Sequence, residues 1–308
     1  MPGGSAGSAG RGDTSLPISI DGLSKRYGQV PALSDLSLSV RPGEVFGFLG
    51  LNGAGKTTTI RLLLDLIRPT AGRASVFGHD CRAGSMAVRR AIGYLPGEPS
   101  FYPDMTGERL LRVLERVGGA AVDPAWRRQL LERFDLPDRD LSRPIRDYST
   151  GMKRKLGMIQ AVQHDPALLI LDEPTEGLDP VMQEVFYGLL RELTARGRTV
   201  FLSSHVLSEV ERVCDRVAVL RSGRLALLAS IEELRALAPR RVRVRFADVV
   251  APPCELEDGL RLEGADARCW RLEIRGPLGP LMTKLAGLPV ADLDIREPRL
   301  EDIVVQYY

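Results

Sequence analysis

The chain has 308 residues, 44 % hydrophobic and 27 % charged, with a formal net charge of +2; this suits one large globular domain plus a small one, or two domains, and is too balanced to signal nucleic acid. No apolar run approaches the ~18 residues needed to span a bilayer, and no charged segment followed by a hydrophobic core opens the chain. The four cysteines (Cys81, Cys214, Cys254, Cys269) form no C-x-x-C pair, so the expectation is a cytosolic protein with reduced thiols and neither a metal framework nor disulfides.

Residues 1–15 are almost all Gly, Ser, Ala and polar residues, and are predicted to form a disordered tail. Strands are expected over 18–20 and 32–40, where Leu36, Leu38 and Val40 alternate with other residues. Between them stands Tyr27, an aromatic at a strand end or one placed to stack on a nucleobase. Val45-Phe46-Gly47-Phe48-Leu49 reads as a buried strand. It runs into Gly50-Leu51-Asn52-Gly53-Ala54-Gly55-Lys56-Thr57-Thr58, after which Ile60, Leu63, Leu64 and Ile67 have helical spacing. Strand, glycine-rich turn, Lys-Thr and helix together spell a phosphate-binding loop, and this context argues against a merely solvated turn. Glycines let successive N–H groups turn inward, and the helix N-terminus adds partial positive charge. Asn52, Gly53, Ala54, Gly55, Lys56, Thr57 and Thr58 are therefore candidate triphosphate binders. Lys56 suits the β- and γ-phosphates, and the Thr57 hydroxyl suits Mg²⁺.

Strands follow over 72–78 and 92–95. From 105 to 163 the chain turns helical and Arg-rich, with helices near 107–117, 124–134 and 151–162. This is the pattern of a helical insertion, about 97–165, between the halves of an α/β core. The apolar run 167–171 ends in Asp172 and Glu173. A strand apolar on both faces belongs in a parallel sheet, and ligands bind at the carboxyl ends of such strands. Asp172 suits Mg²⁺ and Glu173 suits activating a water, the plainer reading being an acidic strand-to-loop transition. After a helix over 181–195 and a strand over 199–202 comes Ser203-Ser204-His205. A His at a strand tip either contacts a γ-phosphate or is structural. A helix over 206–213, strands over 216–220 and 224–228, and a capping box of Ser230 with Glu233 close the core. From about 236 a second unit of β-β-α-β-α order is predicted over 241–246, 268–275, 277–286, 291–295 and 300–307. Its first strand carries Arg241, Arg243 and Arg245 on one face, which is either solvated or turned to lipid headgroups.

Tyr148-Ser149-Thr150-Gly151-Met152, followed by Lys153, Arg154 and Lys155, resembles the signature motif of ABC ATPases. Glu176-Gly177-Leu178-Asp179 resembles their D-loop and His205 their switch histidine, while Tyr27 falls where the family stacks the base. The resemblance covers about 16–235. It implies a P-loop, RecA-like α/β core with antiparallel β and helical subdomains, which hydrolyses ATP with Mg²⁺. It also implies a head-to-tail dimer of ATPase subunits, identical or not, in which Ser149, Gly151 and Asp179 of one subunit complete the site of the other. Two departures stand out. Where the family usually has Gln, this chain has Gly97-Glu98, leaving Glu98 as a candidate metal ligand, and Thr150 and Met152 replace the commonest Gly and Gln of the signature.

The carboxyl-terminal α+β unit over 236–308 resembles the extension on ATPases of bacterial drug, antibiotic and polysaccharide exporters. The expectation is an exporter ATPase held at the cytoplasmic face of the membrane by a separately encoded permease, with no nucleic-acid partner. The alternative is a soluble ABC ATPase acting on ribosomes or nucleic acid. Relatives of that kind carry two ATPase units or a long coiled coil, and this chain shows neither.

Overall fold

Three sheets organise the computed structural model, which describes residues 16–119, 121–237, 239–252, 259–296 and 303. The predicted tail at 1–15, Cys254 and the predicted helix over 300–307 lie outside the described residues. The chain divides at Leu228/Ala229 into two units.

The first unit opens with β1 (Ile18–Tyr27) and β2 (Val30–Val40), paired antiparallel so that Ile18 faces Val40 and Ile20 faces Leu38. β1 runs past the predicted 18–20 to Tyr27. Its register shifts after Ile20, Leu23 and Lys25, and these irregularities broke the alternation that would have announced the longer strand. β3 (Val45–Leu49) and α1 (Lys56–Leu63) follow, then β4 (Ala71–Val76) and the short β5 (His79–Asp80), which complete a sheet of order β2-β1-β4-β5. α2 (Ser85–Ala91) was not foreseen; it has neither a capping side chain nor an acid in its first turn.

β6 (Ile92–Leu95) enters the second sheet, and the predicted helical insertion follows as α3 (Gly107–Gly118), α4 (Pro124–Arg133), the one-turn α5 (Asp138–Leu141) and α6 (Thr150–Val162). Helix ends here follow local chemistry. Thr106 and Asp123 cap α3 and α4, Pro124 starts α4, and Gly119 at φ 69° ends α3. Then come β7 (Leu168–Asp172), α7 (Pro180–Ala195), β8 (Thr199–Ser204), α8 (Leu207–Val213), β9 (Arg216–Arg221) and β10 (Arg224–Ser230). The sheet order is β10-β9-β3-β8-β7-β6, and β6, β7, β8, β3 and β9 run parallel. Every residue of β3, β7 and β8 is buried, which is why β3 and residues 168–171 read as continuous apolar runs, while Asp172, Thr199, Ser203 and Ser204 are polar groups buried at the strand ends.

Phe201 anchors this sheet, stacked on Phe46 at 5.8 Å between ring centroids and tilted on Phe48 at 5.2 Å. It is fully buried, so Phe201→Ala leaves a cavity as well as losing apolar burial. The expected cost is about 3–5 kcal/mol, measured as a fall in the urea midpoint of the full chain. Among the described residues no helix is long and apolar enough to cross a membrane.

The second unit holds α9 (Ile231–Leu237), β11 (Arg240–Phe246), β12 (Leu260–Asp266), β13 (Cys269–Ile274), α10 (Gly279–Leu285) and β14 (Val290–Arg296). Ser230 and Glu233 form the predicted capping box, with Glu233 N–H donating to Ser230 Oγ at 3.0 Å and Ser230 N–H to Glu233 Oε2 at 2.7 Å. Three strands precede α10, not the predicted two. β12 escaped notice because a register shift at Gly264, where a Cβ would meet the Arg271 guanidinium at 2.9 Å, interrupts its pattern. Val242, Val244, Phe246, Trp270 and Leu272 form its core, while Arg241, Arg243 and Arg245 lie exposed on the opposite face. Arg245 there pairs across strands with Asp292.

Candidate active site

Parallel pairing brings the site together. Leu49 is in register with Ser204 and Asp172 with Ser203, so β3, β7 and β8 all end at one edge of the sheet. Each then delivers a different group there: the Gly50–Thr58 loop, the Asp172–Glu173 pair, and His205. The loop needs its glycines. Gly53 and Gly55 sit at φ 83° and 111°, and a Cβ on Gly55 would come 2.7 Å from the Ala32 carbonyl. α1 starts behind Gly55 with no side-chain cap and no acid in its first turn, so its leading N–H groups remain for an anion. The resulting cleft of about 530 Å³ is lined by Asn52, Gly53, Lys56, Thr57 and Thr58 on one wall and by Gly97, Glu98, Asp172 and Glu173 on the other. Ala54 lies buried beneath the loop.

Asp172 is buried and doubly held, accepting from Ser203 Oγ at 2.5 Å and from Thr57 Oγ1 at 3.1 Å. A hydroxyl and a carboxylate side by side at a phosphate-binding loop fit Mg²⁺, which takes one or two protein oxygens and completes its shell with water and substrate phosphate. Burial and the nearby negative charge of Asp172 push the Tyr94 phenol up to about 12, so it stays protonated.

Glu173 is the most constrained residue of the site. Its φ is 47°, a left-handed conformation that a non-glycine residue holds only at a cost of about 1–3 kcal/mol. Its N–H donates to the Ser203 carbonyl at 3.1 Å and approaches Ser203 Oγ at 3.3 Å. Its carboxylate divides between two cations or potential cations: Oε1 is 3.1 Å from Lys56 Nζ, and Oε2 is 2.9 Å from His205 Nδ1. Lys56 also donates to the Gly50 carbonyl at 2.6 Å and is only 6 % exposed. A carboxylate held between two groups that also suit phosphate is well placed to receive a proton from a water beside that phosphate.

Two residues here were not singled out from the sequence. Arg154, in the basic run after the signature, is 3 % exposed and donates to the carbonyls of Pro96 (3.1 Å), Gly97 and Glu173. Burial pulls its pKa down, opposed by the charges of Glu176, Asp172 and Glu173. Glu209 on α8 accepts from Thr175 Oγ1 at 2.6 Å and from Ser204 Oγ at 3.0 Å, tying the segment after Glu173 to the strand end before His205. Neither is visible as spacing, because the Arg154 contacts and the Glu209–Thr175 bond join groups far apart in sequence.

Besides Ala54, five candidates do not line the cleft; His205 meets it through Glu173, 2.9 Å away, and the other four lie elsewhere. Tyr27 is 48 % exposed at the end of β1, with Lys25 Nζ 5.1 Å from its ring centroid. Ser149 caps α6, accepting from Met152 N–H at 3.1 Å, and Asp179 caps α7, accepting from Met182 N–H at 2.9 Å. Gly151 has open space in front of it: a Cβ there would meet nothing nearer than Ser149 Oγ at 3.9 Å, with the Gly177 carbonyl at 4.0 Å. The signature turn and the 176–179 loop thus lie side by side, with Ser149, Gly151 and Asp179 outside the lining of the cleft and Glu176 within it.

Comparison with known proteins gives a consistent result. Residues 33–176 match the ABC transporter family model. The chain is 36 % identical over 300 residues to the daunorubicin resistance ATP-binding protein DrrA3 of Streptomyces coeruleorubidus, covering 93 % of this chain and 94 % of that one. It is 33 % identical over 300 residues to the Nod factor export ATP-binding protein I of Burkholderia orbicola, covering 94 % and 96 %. A solved ATP-binding subunit of an ABC transporter superposes with a TM-score of 0.66 at 33 % identity, covering 71 % of this chain and 92 % of that one.

Proposed function

Since the chain belongs to the ABC transporter family of ATPases, we propose that it is the ATP-hydrolysing subunit of an exporter, powering a separately encoded membrane permease. The observation that carries the reading is Glu173, held between Lys56 and His205 at the mouth of a phosphate-binding loop. The loop N–H groups and Lys56 bind the β- and γ-phosphates. Thr57 and Asp172 would hold Mg²⁺, which when bound would neutralise phosphate charge. Glu173 takes the proton of the attacking water, and His205 fixes the carboxylate at 2.9 Å and faces the γ-phosphate. Glu98, exposed on the far wall, and Tyr27, at the surface, complete the assignment as a water or metal contact and a base contact.

The second half of the site comes from another ATPase subunit. Ser149 Oγ already accepts from Met152 N–H, so its own proton is free to be donated outward. Together with the Gly151 N–H in the first turn of α6, it suits the γ-phosphate bound by a second chain, with Asp179 alongside. ATP closes this dimer and hydrolysis reopens it. The names of two relatives, daunorubicin resistance and Nod factor export, support a drug- or antibiotic-type exported substrate, and a lipid- or polysaccharide-type substrate stands beside it as part of the proposal.

The permease meets the first unit at an apolar groove of about 490 Å³ lined by Leu64, Leu66, Tyr94, Phe101, Tyr102 and Leu110. Tyr102 and Leu66 are 73 % and 56 % exposed, and Tyr94 and Pro96 line both the groove and the cleft. An apolar cytoplasmic segment of the permease seated there touches the wall of the site. Affinity purification of the full chain from solubilised membranes is expected to recover a multi-span permease with vanadate-sensitive ATPase activity. Tyr102→Asp is expected to lose that partner at least tenfold while the purified chain keeps its ATP affinity. Recovery of ribosomes or nucleic acid in place of a permease would overturn the exporter reading.

A further inference from the structure

We infer that Arg154 is a positioning residue for Glu173, fixing the carboxylate through the backbone and linking it to the helix that carries the signature. The inference rests on the proposed role of Glu173 as base. Both peptide planes around Glu173 are pinned: its N–H is taken by Ser203 and its carbonyl by Arg154. A left-handed φ of 47° persists in a non-glycine residue only when its neighbours enforce it, and these are the groups that do so. With both planes fixed, the side chain leaves the backbone toward Lys56 and His205.

The same guanidinium grips the carbonyls of Pro96 and Gly97, from the neighbouring segment of the same wall. Gly97 has no side chain with which to reach the site, and a Cβ there would lie 3.8 Å from Asp172 Oδ2. Arg154 therefore ties α6 of the helical insertion to two chain segments of this wall, 96–97 and Glu173, through main-chain carbonyls. Its chemistry fits this use. Nε is buried without an acceptor, so the fork is committed to carbonyls, while Asp172, Glu173 and Glu176 offset its charge from nearby. A lysine in its place has no planar fork with which to hold carbonyls of both segments at once. Arg154 starts one turn into α6, so a shift of Ser149 and Gly151 against a second chain moves the Arg154 fork and with it the Glu173 carbonyl.

The test is single-turnover hydrolysis of radiolabelled ATP by the full chain, with ATP affinity measured in parallel. Arg154→Lys is expected to lower the hydrolysis rate constant about tenfold with ATP affinity changed less than about threefold, and Arg154→Gln to lower it further. Combined with Glu173→Gln, Arg154→Lys is expected to change the residual rate less than about twofold, because its effect passes through the missing carboxylate. Wild-type turnover in Arg154→Lys overturns the inference. So does a full tenfold loss that persists in the Glu173→Gln background, since a merely structural role adds independently. If Glu173→Gln alone hydrolyses ATP normally, the base assignment fails and takes this inference with it, a result distinct from a slow Glu173→Gln enzyme that Arg154→Lys slows again.

Discussion

Glu173→Gln is expected to keep ATP binding and to lower turnover by about 10²–10⁴, the usual contribution of a general base. Glutamine preserves the size of the side chain and can still engage His205 and Lys56, so the cleft keeps its shape. What disappears is the basic oxygen that receives the proton in the proposed role. The same substitution removes an anion from beside the γ-phosphate position. In the wild-type chain Glu173 occupies Lys56 at 3.1 Å and His205 at 2.9 Å, so an arriving phosphate must share both groups with a second negative charge. ATP affinity in the variant should therefore equal or exceed that of the wild type. The signature is a fall in kcat without a rise in the dissociation constant, measured by steady-state phosphate release together with equilibrium binding of a fluorescent ATP analogue. Unchanged turnover would remove Glu173 from the proton step, and a weakened affinity would show that its main service is to hold Lys56 in place.

What could be read in advance was what is local in sequence. The phosphate loop and the Asp172–Glu173 pair are each contiguous, and their meaning comes from the strand before and the turn after, so residues 45–67 and 167–173 announced themselves. The helix start at Ser230 was legible as a capping box, because a cap and its N–H partner are three residues apart, and the helices after Ser149 and Asp179 begin one residue before the expected 151 and 181, with caps that were not read in advance. Features built from distant partners were not legible. Arg154 reaches carbonyls 58, 57 and 19 residues away, and in the sequence it is one of three adjacent basic residues. Glu209 likewise looks like any exposed acid early in a helix until Thr175 and Ser204 are folded against it. β1 and β12 were shortened or missed for a related reason. Register shifts at Ile20–Arg26 and at Leu262–Gly264 break the two-residue period on which strand reading depends. The positive φ of Glu173 left no trace in the residue type either, since glutamate there defies local preference and is held by tertiary contacts.

Lys56→Ala should weaken nucleotide binding itself, in contrast to Glu173→Gln. A hydrogen bond from a charged group contributes about 1.5–3 kcal/mol, which corresponds to a rise in the ATP dissociation constant of about 10- to 150-fold. Three interactions end together in this variant: the contact to the β- and γ-phosphates, the donation to the Gly50 carbonyl at 2.6 Å, and the 3.1 Å ion pair with Glu173. The last of these deepens the binding defect. Without Lys56 the partly buried carboxylate keeps only His205 beside it, so the mouth of the loop becomes more negative where a triphosphate must enter. Removing that charge as well should restore part of the loss, so the Lys56→Ala/Glu173→Gln double variant should bind ATP more tightly than Lys56→Ala alone while remaining inactive. Lys56→Met separates charge from packing, because it fills the space of the lysine stem in this buried position and carries no ammonium; it should bind ATP as poorly as the alanine variant. Wild-type ATP affinity in either single variant would contradict the assignment of Gly50–Thr58 as the triphosphate site. Equal affinity of Lys56→Ala and the double variant would show instead that Glu173 and the incoming phosphate do not compete for the same cation.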